Sequence, residues 1–216
     1  METYTPIRHD RGSLHLSRKF YHALMGIVCF ILYGFYLNHH QALIALLCVG
    51  GLLVIADIAR LAFPHLTAVA LRCFGRVMRE EELTGLSANT FYILGLFTLL
   101  LFFPKPIALL SLLYLAVGDP IAALVGVRFG RHRLLRNKSW EGTLANFALT
   151  TAATALAGHK VFGLAPQTLL VLAPLGGIIS ALSELLPLPL DDNFTIPVAS
   201  AIQLSFLLPY LHLMHF

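Results

Sequence analysis

Residues 118–147 read GDPIAALVGVRFGRHRLLRNKSWEGTLANF, and this stretch sets the fold. It opens with an Asp at the end of a long apolar run, continues with small residues, and becomes a basic loop closed by Lys-Ser-Trp-Glu-Gly. A helix turns about 100° per residue, so Asp119, Ala122, Gly126 and Gly130 share one narrow stripe of one face. A carboxylate therefore heads a groove without side chains. Such a groove admits either a neighbouring helix or a flat ligand laid on bare backbone. Helix packing explains the small residues, but neither Asp119 nor the cations ten residues later.

Outward from this stretch, the chain is membrane-like throughout. Its 216 residues are 57% hydrophobic and 12% charged, with mean hydropathy +0.77. Those values exclude an ordinary water-soluble globule and predict an all-α integral membrane protein. Apolar runs predict seven spans, near Phe20–Leu37, Gln41–Phe63, Ala88–Phe103, Pro106–Val127, Thr143–Phe162, Gln167–Leu186 and Phe194–Leu213. One membrane domain over 20–216 follows a polar, basic segment over 1–19. The first apolar run is long for a signal-peptide core, and no small-residue cleavage site follows it, so it reads as a retained anchor. Cys29, Cys48 and Cys73 form no C-x-x-C pair and read as small buried hydrophobes.

Charge gives orientation. With seven spans, all of the 15 basic residues except Lys105 and Lys160 fall on the side of the amino terminus. The positive-inside rule makes that side cytoplasmic and puts the carboxyl terminus opposite, in a bacterial inner membrane or the endoplasmic reticulum according to the organism. Every Asp and Glu also falls in these segments or near the same ends of spans, which predicts one chemically active, cytoplasm-facing surface.

Several groups sit at that surface. Arg18 and Lys19 enter the first span, either as snorkelling anchors or as phosphate ligands, and His22 lies one turn beyond on the face of Arg18. Asp57 and Arg60 end the second span at i, i+3, as a functional carboxylate or a structural ion pair. From Pro64, Leu66, Val69, Ala70, Cys73, Phe74, Val77 and Met78 recur at helical spacing opposite Arg72, Arg76 and Arg79. This predicts an amphipathic helix in the cytoplasmic interface. Glu80-Glu81-Glu82 follows, either a solvated linker or a glutamate entering the active surface, for which Glu81 is the choice. Glu184 ends the sixth span, and Asp191-Asp192-Asn193 opens the last one beyond Pro187 and Pro189. Asn193-Phe194-Thr195 is a glycosylation sequon on the wrong side for that use. His212 and His215 lie at the other end as idle exposed groups.

Carboxylates with an amide suit Mg²⁺ or another divalent cation, and Arg and Lys suit phosphates. Metal, cations and bare backbone are what a nucleoside triphosphate needs, and phosphoryl transfer asks mainly positioning and charge neutralisation of a protein. No G-x-x-x-x-G-K-[ST] is present, because Asn137 precedes Lys138-Ser139, and no protein-kinase glycine loop or H-R-D segment is found.

Gly118-Asp119 with Ala123, Gly126 and Gly130, followed by Lys138-Ser139-x-Glu141-Gly142 and Phe147, resembles the signature of the CTP-dependent polyprenol, diacylglycerol and phytol kinase family. Arg18-Lys19-x-x-His22, Glu81-x-x-Thr84-Gly85 and Asp191-Asp192-Asn193-x-Thr195-Ile196-Pro197 resemble the same family in the same order, so the likeness covers nearly the whole chain. The eukaryotic diacylglycerol kinases are the most similar branch around 79–95 and 191–197. The resemblance implies transfer of the γ-phosphoryl group of CTP to a lipid alcohol, whether diacylglycerol, polyprenol, dolichol or phytol, with a divalent metal. It implies Asp119 as the central metal or nucleotide residue, with Gly118, Gly126 and Gly130 leaving room for the nucleotide. Lys138, Ser139 and Gly142 would meet phosphates, and Glu141 would orient the loop or assist the metal. Arg18 and Lys19 would hold phosphate from the opposite wall, and Asp192 with Asn193 would complete the metal or base. No nucleic-acid partner is expected, and no oligomeric state is assigned.

Two alternatives stand beside this reading. A CTP:phosphatidate cytidylyltransferase has a similar Asp, glycine pair and Lys-x-x-Glu-Gly ending, but ordinarily Ser-Pro and an extra Lys where this chain has Leu135-Arg136-Asn137. An ion-coupled transporter would use Asp57, Asp119 and Glu184 along a path. It would place them near the midplane with an internal repeat, which this chain lacks.

Overall fold

The computed structural model describes residues 11–75, 78–135 and 138–210, and side chains from 16 to 207 within those ranges. Arg8, Arg76, Val77, Arg136, Asn137, His212, His215 and the end of the seventh predicted span lie outside the described residues. Within them the protein is helical throughout, apart from an isolated bridge between Arg133 and Ser139.

The helices are α1 (Arg11–Ile31), α2 (His39–Ala45), α3 (Gly51–Ala62), α4 (Pro64–Phe74), α5 (Ala88–Phe102), α6 (Lys105–Leu113), α7 (Asp119–Phe129), α8 (Trp140–Lys160), α9 (Pro166–Leu185) and α10 (Asp192–Tyr210). Short π-turns extend α1 and join α2 to α3 and α6 to α7. Arg18 and Lys19 ride on α1, which runs through residue 19 into the first predicted span.

Four helical stretches are long and apolar enough to cross a bilayer: Leu16–Tyr36, His39–Ala62, Lys105–Phe129 and Pro166–Leu185. The apolar α5, at 15 residues, is shorter. At 21 and 19 residues, α8 and α10 have the length but carry many polar residues. Thr143, Asn146, Thr150 and Thr154 on α8, and Asn193, Thr195 and Ser200 on α10, are all buried against neighbouring helices. Their polarity faces protein and lowers the hydropathy of helices that present apolar side chains elsewhere.

The α6–α7 stretch is the core. In its most apolar window 72% of residues are buried, against 22% for α1 and 17% for α2–α3. Every residue from Ile107 to Ala116 is buried, with Tyr114 fully enclosed. α8, α9 and α10 pack around this helix with α1 and α5, while α2 and α3 lie outside them. On the side away from the charged residues, Lys105 donates to the carbonyl of Leu37 at 3.0 Å and lies over the Tyr33 ring, tying the end of α1 to the start of α6.

α4 is a helix over Pro64–Phe74, the described part of the predicted amphipathic stretch, and none of its residues is buried. Arg79 is not on it.

Candidate active site

Asp119 owes its position to the residue after it. Pro120 has no N–H to continue the α-helical ladder, and the chain meets this by widening into a π-turn at Tyr114–Gly118 before α7 begins. The buried Asp119 carboxylate then faces α1, where Lys19 donates directly to Oδ1.

Lys138 arrives from the loop after α7. That loop folds back through Leu134 N–H to the Lys138 carbonyl at 3.0 Å and Trp140 N–H to the His132 carbonyl at 3.0 Å. The Ser139 hydroxyl then caps α8 by accepting from Gly142 N–H at 3.2 Å. The glycine stripe receives this cap. A Cβ on Gly130 would stand 2.8 Å from Ser139 Oγ, and one on Gly142 would stand 2.6 Å from the Ala122 carbonyl oxygen. The stripe is thus a helix-packing seam filled by Ser139, with Gly126 also facing that hydroxyl. Gly118 is the point of closest approach to Asn146 and Ser180.

The seam delivers the Lys138 ammonium to Glu184 Oε1 at 2.8 Å and to Asp192 Oδ2 at 3.5 Å. Glu184, its side chain 2% exposed, also accepts from Asn146 Nδ2 at 2.8 Å. The Asn146 carbonyl oxygen in turn accepts from Ser180 at 2.8 Å and Thr150 at 2.9 Å. Burial alone would lower the Lys138 pKa. Asp119, Glu184 and Asp192 outweigh it and hold the ammonium above its ordinary value.

A second chain of contacts crosses to the other wall. Arg18 pairs with Glu82 at 3.4 Å, and Arg79 with Asp191 at 3.5 Å. Asp191 Oδ1 accepts from the Asn193 amide nitrogen at 2.6 Å, which turns the amide oxygen toward His22 Nδ1 at 2.8 Å. An amide oxygen can only accept, so His22 Nδ1 carries the hydrogen and Nε2 is left as an acceptor. Burial raises the Glu82 pKa above its ordinary value despite the opposing pull of Arg18 and Arg79.

Arg18, Lys19, His22, Asp119, Lys138, Glu184, Asp192 and Asn193 therefore meet from distant parts of the chain. They lie on the first half of α1, at the start of α7, just before α8, at the end of α9 and at the start of α10. Four of the sequence candidates do not point at the space beside Asp119, and for Asp57 and Glu141 the contacts match the ion-pair and loop-orienting alternatives. Glu81 is exposed and its neighbour Glu82 is the buried partner of Arg18, because a 3₁₀ turn at Glu80–Leu83 directs only one of the three glutamates inward. Asp57 belongs to a separate brace: Arg60 Nε at 2.6 Å, Ser87 N–H at 2.8 Å and Thr90 hydroxyl at 2.6 Å satisfy it, while Arg60 ties the carbonyls of Glu82 and Gly85. Glu141 turns out to the loop, accepting from His132 N–H at 3.2 Å and meeting His132 Nδ1 at 2.8 Å. Those bonds and its own backbone lower its pKa to about 2. Asn193 serves His22 rather than the space beside Asp119. Glu82, Asn146 and His132 carried no role in the sequence reading. An amide inside an apolar run was the available signal for Asn146.

Among the described residues no three His, Cys, Asp or Glu side chains converge as a metal cage. Asp119 and Asp192 instead flank Lys138. One or two carboxylates that share a metal with phosphate oxygens is the usual protein contribution to Mg²⁺ held by a nucleotide, and this donor set fits that role.

Three similar proteins are informative. The chain is 32% identical over 206 residues to the CTP-dependent diacylglycerol kinase 1 of Saccharomyces cerevisiae, covering 87% of this chain and 71% of that protein. It is 32% identical over 192 residues to the phytol kinase of a Synechocystis species, covering 87% and 77%. It is 31% identical over 204 residues to the dolichol kinase of Saccharomyces cerevisiae, covering 88% of this chain and 37% of that longer protein. No profile of a known protein family matches the chain. No solved structure matches it.

Proposed function

Because the chain belongs to the family of CTP-dependent diacylglycerol kinases, phytol kinases and dolichol kinase, it is a CTP-using lipid kinase, and we propose that it works at the Asp119–Lys138 centre, moving the γ-phosphoryl group of CTP to a membrane lipid hydroxyl. The observation that carries the assignment of the site is the convergence of Lys19, Asp119, Lys138, Glu184 and Asp192 from four parts of the chain.

The cations are each paired with carboxylates. Lys19 is held by Asp119, Lys138 by Glu184 and Asp192, and Arg18 by Glu82. Each is thus oriented before the triphosphate arrives, and each would trade a carboxylate contact for a phosphate oxygen. Asp119 and Asp192 would hold the divalent cation. When bound, that cation supplies charge neutralisation on the β- and γ-phosphates. The acceptor oxygen attacks the γ-phosphorus, the bond from that phosphorus to the bridging oxygen of the β-phosphate breaks, and CDP leaves. We assign the hydroxyl proton to His22 Nε2, the ring nitrogen left free to accept by the Asn193 contact at 2.8 Å. Ser139, Gly126, Gly130 and Gly142 act by seating Lys138, and Glu141 by tying down the loop.

Seven membrane crossings, one domain with α4 at the interface, and a cytoplasmic active surface complete the proposal. Support comes from the ion pairs, which gather the starts of α1, α8 and α10 with the end of α9 on one side. That is also the side on which the basic residues fall.

Reconstitution with CTP labelled in the γ- or the α-phosphate, and with diacylglycerol, phytol and polyprenol in turn, tests the reading. A phospholipid carrying only the γ label is expected. Label from the α position in lipid, with release of pyrophosphate, would establish a cytidylyltransferase instead.

A further inference from the structure

One cavity lies beside α1 and is not centred on Asp119. It has a volume of about 380 Å³ and opens between α1, α3, α4 and α5. Arg18, His22, Asp57, Arg60 and Glu82 line one end, and the remainder is almost entirely apolar. A second cavity of about 280 Å³ continues from it between α1, α2 and α5, with no charged group in its lining. Met25, Leu53, Tyr92 and Ile93 line both, so these four form the neck of a single trough.

The trough follows one face of α1 and its π-turn extension, from Arg18 to Leu37. At 1.5 Å of rise per residue this is roughly 28 Å, close to the thickness of a bilayer's hydrocarbon core, about 30 Å. Its polar end adjoins the phosphoryl-transfer centre: Arg18 and His22 line the trough, while Lys19 on the same turn of α1 holds Asp119. The Tyr92 ring packs at a tilt against His22 with ring centroids 5.5 Å apart.

We propose that this trough is the binding site for the hydrocarbon of the acceptor alcohol, whose hydroxyl is presented at the polar end beside His22 and Arg18. The inference rests on the kinase reading above, because it is the transfer centre that requires a hydroxyl at that end. The chemistry expected of the ligand is one hydroxyl on a long apolar chain. A phospholipid without a free hydroxyl would gain nothing at His22, and α4 covers the polar end with Leu66, Val69 and Phe74 while leaving the apolar end open between helices.

The test uses the full chain in nanodiscs and a long-chain alcohol carrying a photoactivatable diazirine part-way along its chain. Crosslinks are expected on α1, α3 and α5, around Met25, Leu53 and Ile93, and they should be competed by unlabelled long-chain alcohol but not by phosphatidylcholine. Ile93→Trp, which fills the neck, should cut that labelling at least tenfold. It should also raise KM for long-chain acceptors by about the same factor, with KM for CTP unchanged. Ile93→Ala, which opens the neck, controls for misfolding and should retain labelling. Labelling spread over the outer faces of α9 and α10, displacement by phosphatidylcholine, or indifference to Ile93→Trp would overturn the proposal. Because crosslinking needs no turnover, specific labelling in a protein that transfers no phosphate would refute the kinase reading and leave the pocket standing.

Discussion

Lys138 and Glu184, 46 residues apart, meet at 2.8 Å, and the second oxygen of the same carboxylate is held by Asn146 at the same distance. A loop cation is thereby anchored to a carboxylate enclosed between α8 and α9. Most of the described loop residues are exposed, and Lys138 is the one among them held against Glu184.

Glu184→Gln should leave the fold intact, since Asn146, Thr150 and Ser180 still offer hydrogen bonds, while Lys138 loses its most buried counter-charge. A rise in KM for CTP of about tenfold is expected, the scale of one charge-assisted contact. Asn146→Leu should act in the same direction through Glu184. Steady-state kinetics with varied CTP at saturating lipid reads both.

Lys19→Met removes the partner of Asp119 and a phosphate ligand together. A loss of about 10²-fold or more in kcat/KM for CTP is expected, and direct nucleotide binding should weaken in parallel. Glu81→Gln, on the exposed side of the 3₁₀ turn, should lie within about twofold of wild type. Glu82→Gln should disturb Arg18 and weaken CTP binding.

If Asn193 fixes the His22 tautomer, Asn193→Leu should depress kcat by about ten- to a hundredfold while KM for CTP stays put, and His22→Ala should cost about 10²-fold or more. The pH–rate profile distinguishes this from mere packing. The limb assigned to His22 should vanish in His22→Ala and persist in Asn193→Leu.

Glu141 has a pKa lowered to about 2 by its own backbone, by His132 and by the loop amides. A depressed carboxylate stabilises the fold above its unfolded value, near 4.3, and the contribution fades as pH falls from there toward about 2. Thermal unfolding should therefore show a smaller acid-side loss of Tm in Glu141→Gln than in wild type, with the two converging at the lowest pH.

How much of this was written in the sequence depends on whether a side chain's partner is local. The helical class and most helix positions follow from apolar runs and from Pro64, Pro104, Pro106 and Pro187 as punctuation. Asp119, Lys138, Asp192 and the Arg18-Lys19 pair stand out because charge at the end of an apolar run must be used. Which glutamate of Glu80-Glu81-Glu82 turns inward depends on one 3₁₀ turn, and spacing alone cannot choose it. The glycine stripe carried two meanings, and only the position of Ser139 shows that another helix fills it. Asn146 and His132 took their meaning from Glu184 and Glu141 after the chain had folded. α8 and α10 hide their polar residues inside the bundle, so their hydropathy understates how apolar their outer faces are.

The most direct test of the account is the turnover of Asp119→Asn, which removes one charge at nearly constant volume from the buried carboxylate that pairs with Lys19. With γ-labelled CTP and the preferred alcohol in nanodiscs, the variant should stay folded and lose about 10³-fold or more in kcat. Lipid phosphorylation within about twofold of wild type would contradict it and remove Asp119 from the centre of the reaction.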